Sequence, residues 1–301
     1  MIECVVNVSE GRDLAVIEEI ARVASSSLLD VHSDPHHNRS VFTLAGPLVE
    51  EAVRSVARLV VELVDIRGHE GVHPRIGSLD VVPFVHIAVS AAAQGPAQGP
   101  AEAPEARTEG WETVPLPAEV LRARSSFADW AGTELGLPCF LYGPERSLPD
   151  VRRRAFDLLA PDHGPPLPHP TAGGCAVGAR PALVAYNLWL SSSDVTLARR
   201  IAAAIRSPNV RALGLEAGGQ VQVSCNLLDP MGAGPARVAD QVAQMAGGAG
   251  VALDRAELVG LVPRAVLHAQ PRSRWEELDL SEERTIEHRA CQIYEAEGAD
   301  R

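Results

Sequence analysis

Lysine is missing from this sequence: all 27 basic residues are arginine. Its absence excludes lysine Schiff-base chemistry, the usual attachment of pyridoxal phosphate, and the lysine of a phosphate-binding P-loop. Cysteine is sparse. Cys4, Cys139, Cys175, Cys225 and Cys291 are odd in number and no two stand in C-x-x-C spacing, so neither a disulfide framework nor a structural zinc site is expected. Reduced, buried thiols in a cytoplasmic protein are the expectation instead. No apolar run approaches the ~20 residues that span a bilayer. The start of the chain, MIECVVNVSEGRD, has neither a basic stretch nor a long apolar one, so no membrane span and no signal peptide are expected. Positive charge is also in short supply. The 27 basic residues face 39 acidic ones, for a net charge of −12, and such a surface repels phosphate backbones, so no nucleic-acid partner is expected.

What remains is ordinary globular composition, 46% hydrophobic and 22% charged, which excludes a disordered or fibrous chain. The 301 residues are long for one core and comfortable for two, because single cores stop growing near ~250–300 residues. Apolar periodicity predicts strands at Ile2–Val8, Leu28–His32, Ser40–Ala45 and Leu79–Val89, with helices over Leu14–Ala24 and Pro47–Val64. The order is β-α-β-β-α-β. Ala91–Ala106, AAAQGPAQGPAEAPEA, reads as a flexible surface insertion. A helix is predicted over Pro117–Leu135, a strand over Pro138–Tyr142 and an arginine-containing helix over Asp150–Leu159.

Pro161–Gly174, PDHGPPLPHPTAGG, holds five prolines and three glycines in fourteen residues. It cannot be regular structure and marks the expected boundary between residues 1–174 and 175–301. The first pattern then recurs. Strands are predicted at Ala182–Leu190, Val210–Glu216, Gln220–Leu228 and Glu257–Val262, with helices at Asp194–Ile205, where Ser191–Ser193 offer caps, and Pro235–Met245. The expectation is an α/β (α+β) chain of two ferredoxin-like βαββαβ subdomains, with a ligand cleft between them.

Two clusters carry chemistry. Asp30–Arg39, DVHSDPHHNR, packs histidines, aspartates, an asparagine and an arginine into a strand connection. A metal reading, with His32, Asp34, His36 and His37 as ligands, is disfavoured because adjacent loop histidines seldom converge. Arg67–Asp80, RGHEGVHPRIGSLD, holds His73 ahead of a proline that pushes its backbone toward extended geometry. A histidine so directed suits general acid–base work near its ordinary pKa of ~6.5. The bland alternative is a histidine that only structures its turn. Gly71 and Gly77 leave room for a ligand on either side.

Neither cluster is specific alone; in order they are. E-C-V-x-N-x-S-E-G-R-D at the N-terminus, H-N-R-S at His37–Ser40, LVDIRGH, G-x-H-P-R-I-G at Gly71–Gly77, D-V-V-P-F at Asp80–Phe84, LGLPCFLYG, QVSCNLLD and ELVGLVP together resemble the glutamate formimidoyltransferase family, the formiminotransferase domain of formimidoyltransferase-cyclodeaminase. The resemblance implies two α/β subdomains with a tunnel between them. It implies transfer of a formimino group from N-formimidoyl-L-glutamate to N5 of tetrahydrofolate, as co-substrate, in histidine degradation. It implies His73 as the catalytic histidine and a homodimer. The family's folate-contacting stretch falls on Gly164, Pro165, Pro166, Leu167, Pro168, His169, Pro170, Thr171, Ala172 and Gly173. No metal is implied. Asp34 is the candidate to orient His73, and Asn38, Arg39 and Arg75 are candidates for substrate contacts, the arginines because guanidinium grips carboxylates bidentately. The sequence departs from the family at His32, where animal members carry an acid, and at Glu70 and Val72, where many members carry lysine and glutamate. Another formimidoyl or one-carbon transfer to a different amine, or a catalytically silent folate-binding protein, are the alternatives.

Overall fold

The computed structural model describes residues 1–87 and 115–299; the expected insertion at Ala91–Ala106 lies outside the described residues. Two compact units divide the chain, residues 1–87 with 115–181 and residues 182–299. In the first, β1 (Ile2–Val8), α1 (Leu14–Val23), β2 (Leu28–Asp34), β3 (Arg39–Ala45), α2 (Val49–Leu63) and β4 (Leu79–His86) follow one another. β1 alternates, with Cys4, Val6 and Val8 fully buried, as a strand facing a core must. The Asp13 side chain caps α1 by accepting from the amides of Ala15 and Val16. α2 lays Val49, Val53, Val56 and Val60 along one buried stripe and rests on β1, β3 and β4.

These strands pair antiparallel in the order β2-β3-β1-β4, the ferredoxin-like arrangement expected from the sequence. Beyond β4 the sheet continues. α3 (Ala118–Glu134), β5 (Cys139–Tyr142), α4 (Leu148–Arg154) and β6 (Cys175–Arg180) follow, and β6 inserts between β4 and β5, parallel to both. The first unit therefore ends at Pro181, not at Gly174 where the proline-rich stretch suggested a boundary. Residues 175–180 are buried throughout and belong to the first sheet.

The second unit repeats the pattern with β7 (Val184–Leu190), α5 (Val195–Ile205), β8 (Val210–Ala217), β9 (Gln220–Leu227), α6 (Pro235–Gly247) and β10 (Leu253–Val259). Its sheet order, β10-β7-β9-β8, is that of β4-β1-β3-β2, again antiparallel. The β8–β9 hairpin turns at Gly218 and Gly219, both with positive φ, the backbone that tight two-residue hairpins require. Its core gathers Leu188, Leu190, Ile201, Val223, Val242 and Leu258. Tyr186, fully buried, donates its hydroxyl proton to the Leu278 carbonyl at 2.7 Å. α7 (Arg264–His268) and α8 (Ile286–Ala299) complete the chain as described.

Three local expectations change. Asp194 itself, not the preceding serines, caps α5, its carboxylate accepting from Thr196 and Leu197. α4 stops at Arg154, because Ala155 turns extended and Phe156 takes φ 65°. Four cysteines are buried, but Cys291 is exposed. Burial pushes the Cys139 and Cys225 thiols up to about 12, which keeps them un-ionised and poor nucleophiles.

An interior strand cannot be removed without exposing the ladders on both sides of it. A fragment of residues 1–181 is expected to unfold in one cooperative transition, and one of residues 1–174, lacking β6, to show none; circular dichroism melts of the two check this.

Candidate active site

The chemistry-bearing segments of the sequence meet at one end of the first sheet. β2 runs on to Asp34 and β3 begins at Arg39, paired with it, so the expected loop is a tight hairpin of residues 35–38. Asp34 Oδ1 accepts from the backbone amides of His36 (2.7 Å) and His37 (2.9 Å), an Asx turn that shapes the hairpin. Asn38 has φ 47°, which asparagine tolerates better than most residues. Its buried amide ties three segments together: Oδ1 accepts from Gly11 N at 3.0 Å and Nδ2 donates to the Glu70 carbonyl at 3.0 Å. Gly11 and Gly71 are glycines for a steric reason. A Cβ on Gly11 would lie 2.5 Å from Arg39 N, and one on Gly71 would lie 3.0 Å from Asn38 Cβ and closer still to the His37 carbonyl.

The His73 segment is clamped from both sides. Ser9 donates its amide to Ser78 O and its hydroxyl to Gly77 O, both at 2.8 Å. Opposite, Ser78 N donates to Ala172 O (2.9 Å), Gly174 N to Ile76 O (3.1 Å) and Ile66 N to Thr171 O (2.9 Å). Thus His169–Gly173 flanks the histidine loop, held in its own turn by His169 Nδ1, which accepts from Ala172 N at 3.0 Å. The rest of the proline-rich stretch lies elsewhere: Gly164 packs against Gly132 and Leu137 of the α3 end, and Pro165–Pro168 is exposed, Leu167 by 74%.

His73 is half-buried, and its partners decide its proton. Arg39 Nη1 lies 2.8 Å from Nε2, and the Pro74 carbonyl lies 2.8 Å from Nδ1. A guanidinium can only donate and a carbonyl can only accept. Both bonds exist together only in the neutral ring with its proton on Nδ1 and its lone pair on Nε2. Crowding by protein atoms, then the charges of Arg39 and Arg152 and the nearby His37, hold the imidazolium form well below its ordinary range. Burial and neighbouring cations bring Arg39 down to about 10, which leaves it charged at neutral pH.

Asp34, expected to orient His73, makes none of its hydrogen bonds to that ring. Its Oδ2 lies 3.9 Å from His37 Nε2, and the buried His37 ring stacks on His73 with centroids 6.0 Å apart. Arg75 is spoken for as well: Nη2 donates to the carbonyls of His73 (3.0 Å) and His37 (3.3 Å), while Nη1 faces the His69 ring, 2.9 Å from Nε2. His32 sits on β2 and His36 is exposed on the hairpin. Among the described residues, no three side chains of histidine, cysteine, aspartate or glutamate converge as a metal site would require.

Two residues without a sequence-assigned role complete the site. Asp80, 1% exposed, accepts from Ile76 N at 2.7 Å through Oδ1 and from Arg152 Nη2 at 2.7 Å through Oδ2. Arg152 Nη1 donates to the same Pro74 carbonyl that takes the His73 proton. Asp80 heads a quoted motif and could have been suspected as a buried acid; Arg152, one of three consecutive arginines on α4, carries no sequence signal.

Comparison with known proteins bears on this constellation. Residues 1–180 match the family described as the formiminotransferase domain, N-terminal subdomain. A glutamate formimidoyltransferase of Streptococcus pyogenes serotype M1 is 34% identical over 295 residues, covering 89% of this chain and 90% of that one. One from Thermoplasma acidophilum is 32% identical over 298 residues, covering 89% of each. The formimidoyltransferase-cyclodeaminase of Sus scrofa is 33% identical over 304 residues, 89% of this chain but 51% of that protein, so the chain spans about half its length. With one match running through the whole first sheet and its His73 loop, and others along nearly the full length of two glutamate formimidoyltransferases, the chain belongs to the formiminotransferase family.

Proposed function

We propose that this enzyme transfers the formimino group of N-formimidoyl-L-glutamate to N5 of tetrahydrofolate, with His73 as general base. The observation that carries the reading is the forced tautomer: a neutral imidazole whose lone pair is on Nε2 can take a proton there at neutral pH once its donor is drawn away. N5 attacks the formimino carbon, and the N5–C bond forms as the C=N bond opens to a tetrahedral intermediate. Nε2 takes the proton from N5; the electron pair on the imino nitrogen then re-forms the C=N bond, the C–N bond to glutamate breaks, and Nε2 returns the proton to the departing glutamate nitrogen. The names of the relatives support glutamate as the carrier of the group, and the resemblance supports the folate acceptor. Holding both substrates in line supplies much of the rate.

Arg39 occupies the Nε2 lone pair, so its guanidinium must turn to another acceptor before Nε2 can receive a proton. A substrate carboxylate is that acceptor, gripped bidentately, which gives Arg39 the binding role expected of it and couples binding to release of the base. Arg75, already donating to two carbonyls, braces the loop instead. Asp34 acts at one remove, through the hairpin that carries His37 and Arg39. Asn38 fixes the same hairpin, and His169–Gly173 supports the loop from the folate side. Reaction within a homodimer in the cytoplasm, in histidine degradation, completes the proposal.

A second reading rests on Glu70 and on Val72, which is 46% exposed beside His73. With these in place of lysine and glutamate, the amine released or accepted is another one. Turnover measured against a panel of formimidoyl amino acids separates the two readings: the first expects formimidoyl-glutamate to lead it.

His73→Ala is expected to lower kcat by about 10²–10⁴-fold, the usual worth of a positioned base, with the fold and folate affinity intact. Transfer at the parent rate would refute His73 as base. Arg39→Gln is expected to raise KM for the formimidoyl donor by about 10-fold to 100-fold, the worth of a charged hydrogen bond. Steady-state kinetics with folate saturating read this directly, and an unchanged KM would remove Arg39 from the binding role.

A further inference from the structure

Histidine-dependent sites usually fix the imidazole with a carboxylate on the distal nitrogen. Here that nitrogen is met by a backbone carbonyl, and the carboxylate stands one bond further out, behind an arginine. We infer that Arg152, held by the buried Asp80, is the positioning residue that keeps His73 in its Nδ1-protonated tautomer, acting through the Pro74 carbonyl.

Pro74 O has two lone pairs and uses both, one for His73 Nδ1–H at 2.8 Å and one for Arg152 Nη1. The second donor is charged, so it anchors the carbonyl more firmly than a neutral donor would. Arg152 is itself held, because its Nη2 donates to Asp80 Oδ2 at 2.7 Å while Asp80 Oδ1 accepts from Ile76 N at 2.7 Å. One carboxylate thus fixes both the loop after Pro74 and the side chain that grips Pro74. The pairing is across the fold, from α4 to the loop ahead of β4, 78 residues apart in sequence. If the Pro74 carbonyl were free to turn, the Nδ1 proton would lose its acceptor and the ring its preference for a lone pair on Nε2.

Charge acts in the same direction. The groups facing His73 are Arg39 from β3, Arg152 from α4, His37 from the hairpin, and Arg75, which donates to the His73 carbonyl. The buried Asp80 counters Arg39 and Arg75 and pairs with Arg152. Arg152 thereby disfavours the imidazolium while its partner keeps the cationic cluster tolerable. A residue of this kind moves kcat and its pH dependence rather than KM.

The inference rests on His73 as base for its kinetic readout, but the tautomer can be read without turnover. In Arg152→Gln, imidazole nitrogen NMR is expected to show a smaller share of the Nδ1-protonated form than in the parent. The acid limb of kcat should move to higher pH, and kcat at neutral pH should fall by about 10²-fold, the cost of a misplaced group, with KM little changed. A folded variant with the parent tautomer and the parent acid limb would overturn the inference. Arg152→Lys keeps the charge without the two-pronged grip, so its acid limb should stay near the parent while kcat falls; parent kcat there would overturn the inference even if the glutamine variant failed to fold. Were His73→Ala fully active, the base assignment would fail, and the NMR comparison would still decide what Arg152 does.

Discussion

One buried carboxylate organises this site. Asp80 lies at the start of β4, almost wholly out of water, where an unpaired charge would be untenable. It is paired by Arg152 and by the Ile76 amide, and it offsets the positive field of Arg39 and Arg75. Remove it, and three guanidinium groups face one another around an imidazole with no buried counter-charge. Breaking such a pair costs about 3–5 kcal/mol, because the partner is left uncompensated. The pair is worth less as a source of stability than as a fixed reference point. From it, the loop bearing His73 takes its direction.

The fold makes that reference point possible. β4 sits beside β1 and β6 in a six-stranded sheet, so the Asp80 backbone is held on both sides. β6 brings with it the His169–Gly173 turn that flanks the loop, and α4 carries Arg152. The hairpin between β2 and β3 delivers Arg39 and His37 from the other direction, locked by Asn38 to Gly11 and Glu70. Arg39 closes the arrangement with its contact to His73 Nε2.

Much of the fold was legible in the sequence because strand and helix periodicities differ and each unit writes them out in the same order. The extra strands were harder to place. β6 follows a stretch of prolines and glycines that reads as a linker, and only its register against β4 and β5 shows that it completes the first sheet. His73, Arg39 and Asn38 were visible in local motifs as polar residues able to meet at one place. Arg152 was not, since its role depends on a contact spanning 78 residues. Acids near a catalytic histidine commonly orient it, which makes Asp34 the natural candidate by sequence; the backbone amides of its own hairpin hold it instead, and the Pro74 carbonyl meets the histidine ring.

The central claim is that the free enzyme holds His73 neutral, protonated on Nδ1, at physiological pH. Titration of the His73 imidazole by NMR in the parent chain tests it most directly, with His73→Gln used to assign the resonance. The account predicts a midpoint well below the ordinary ~6.5 of histidine, with the proton on Nδ1 throughout the neutral range. A midpoint at or above that value, or a neutral ring protonated on Nε2, would contradict it.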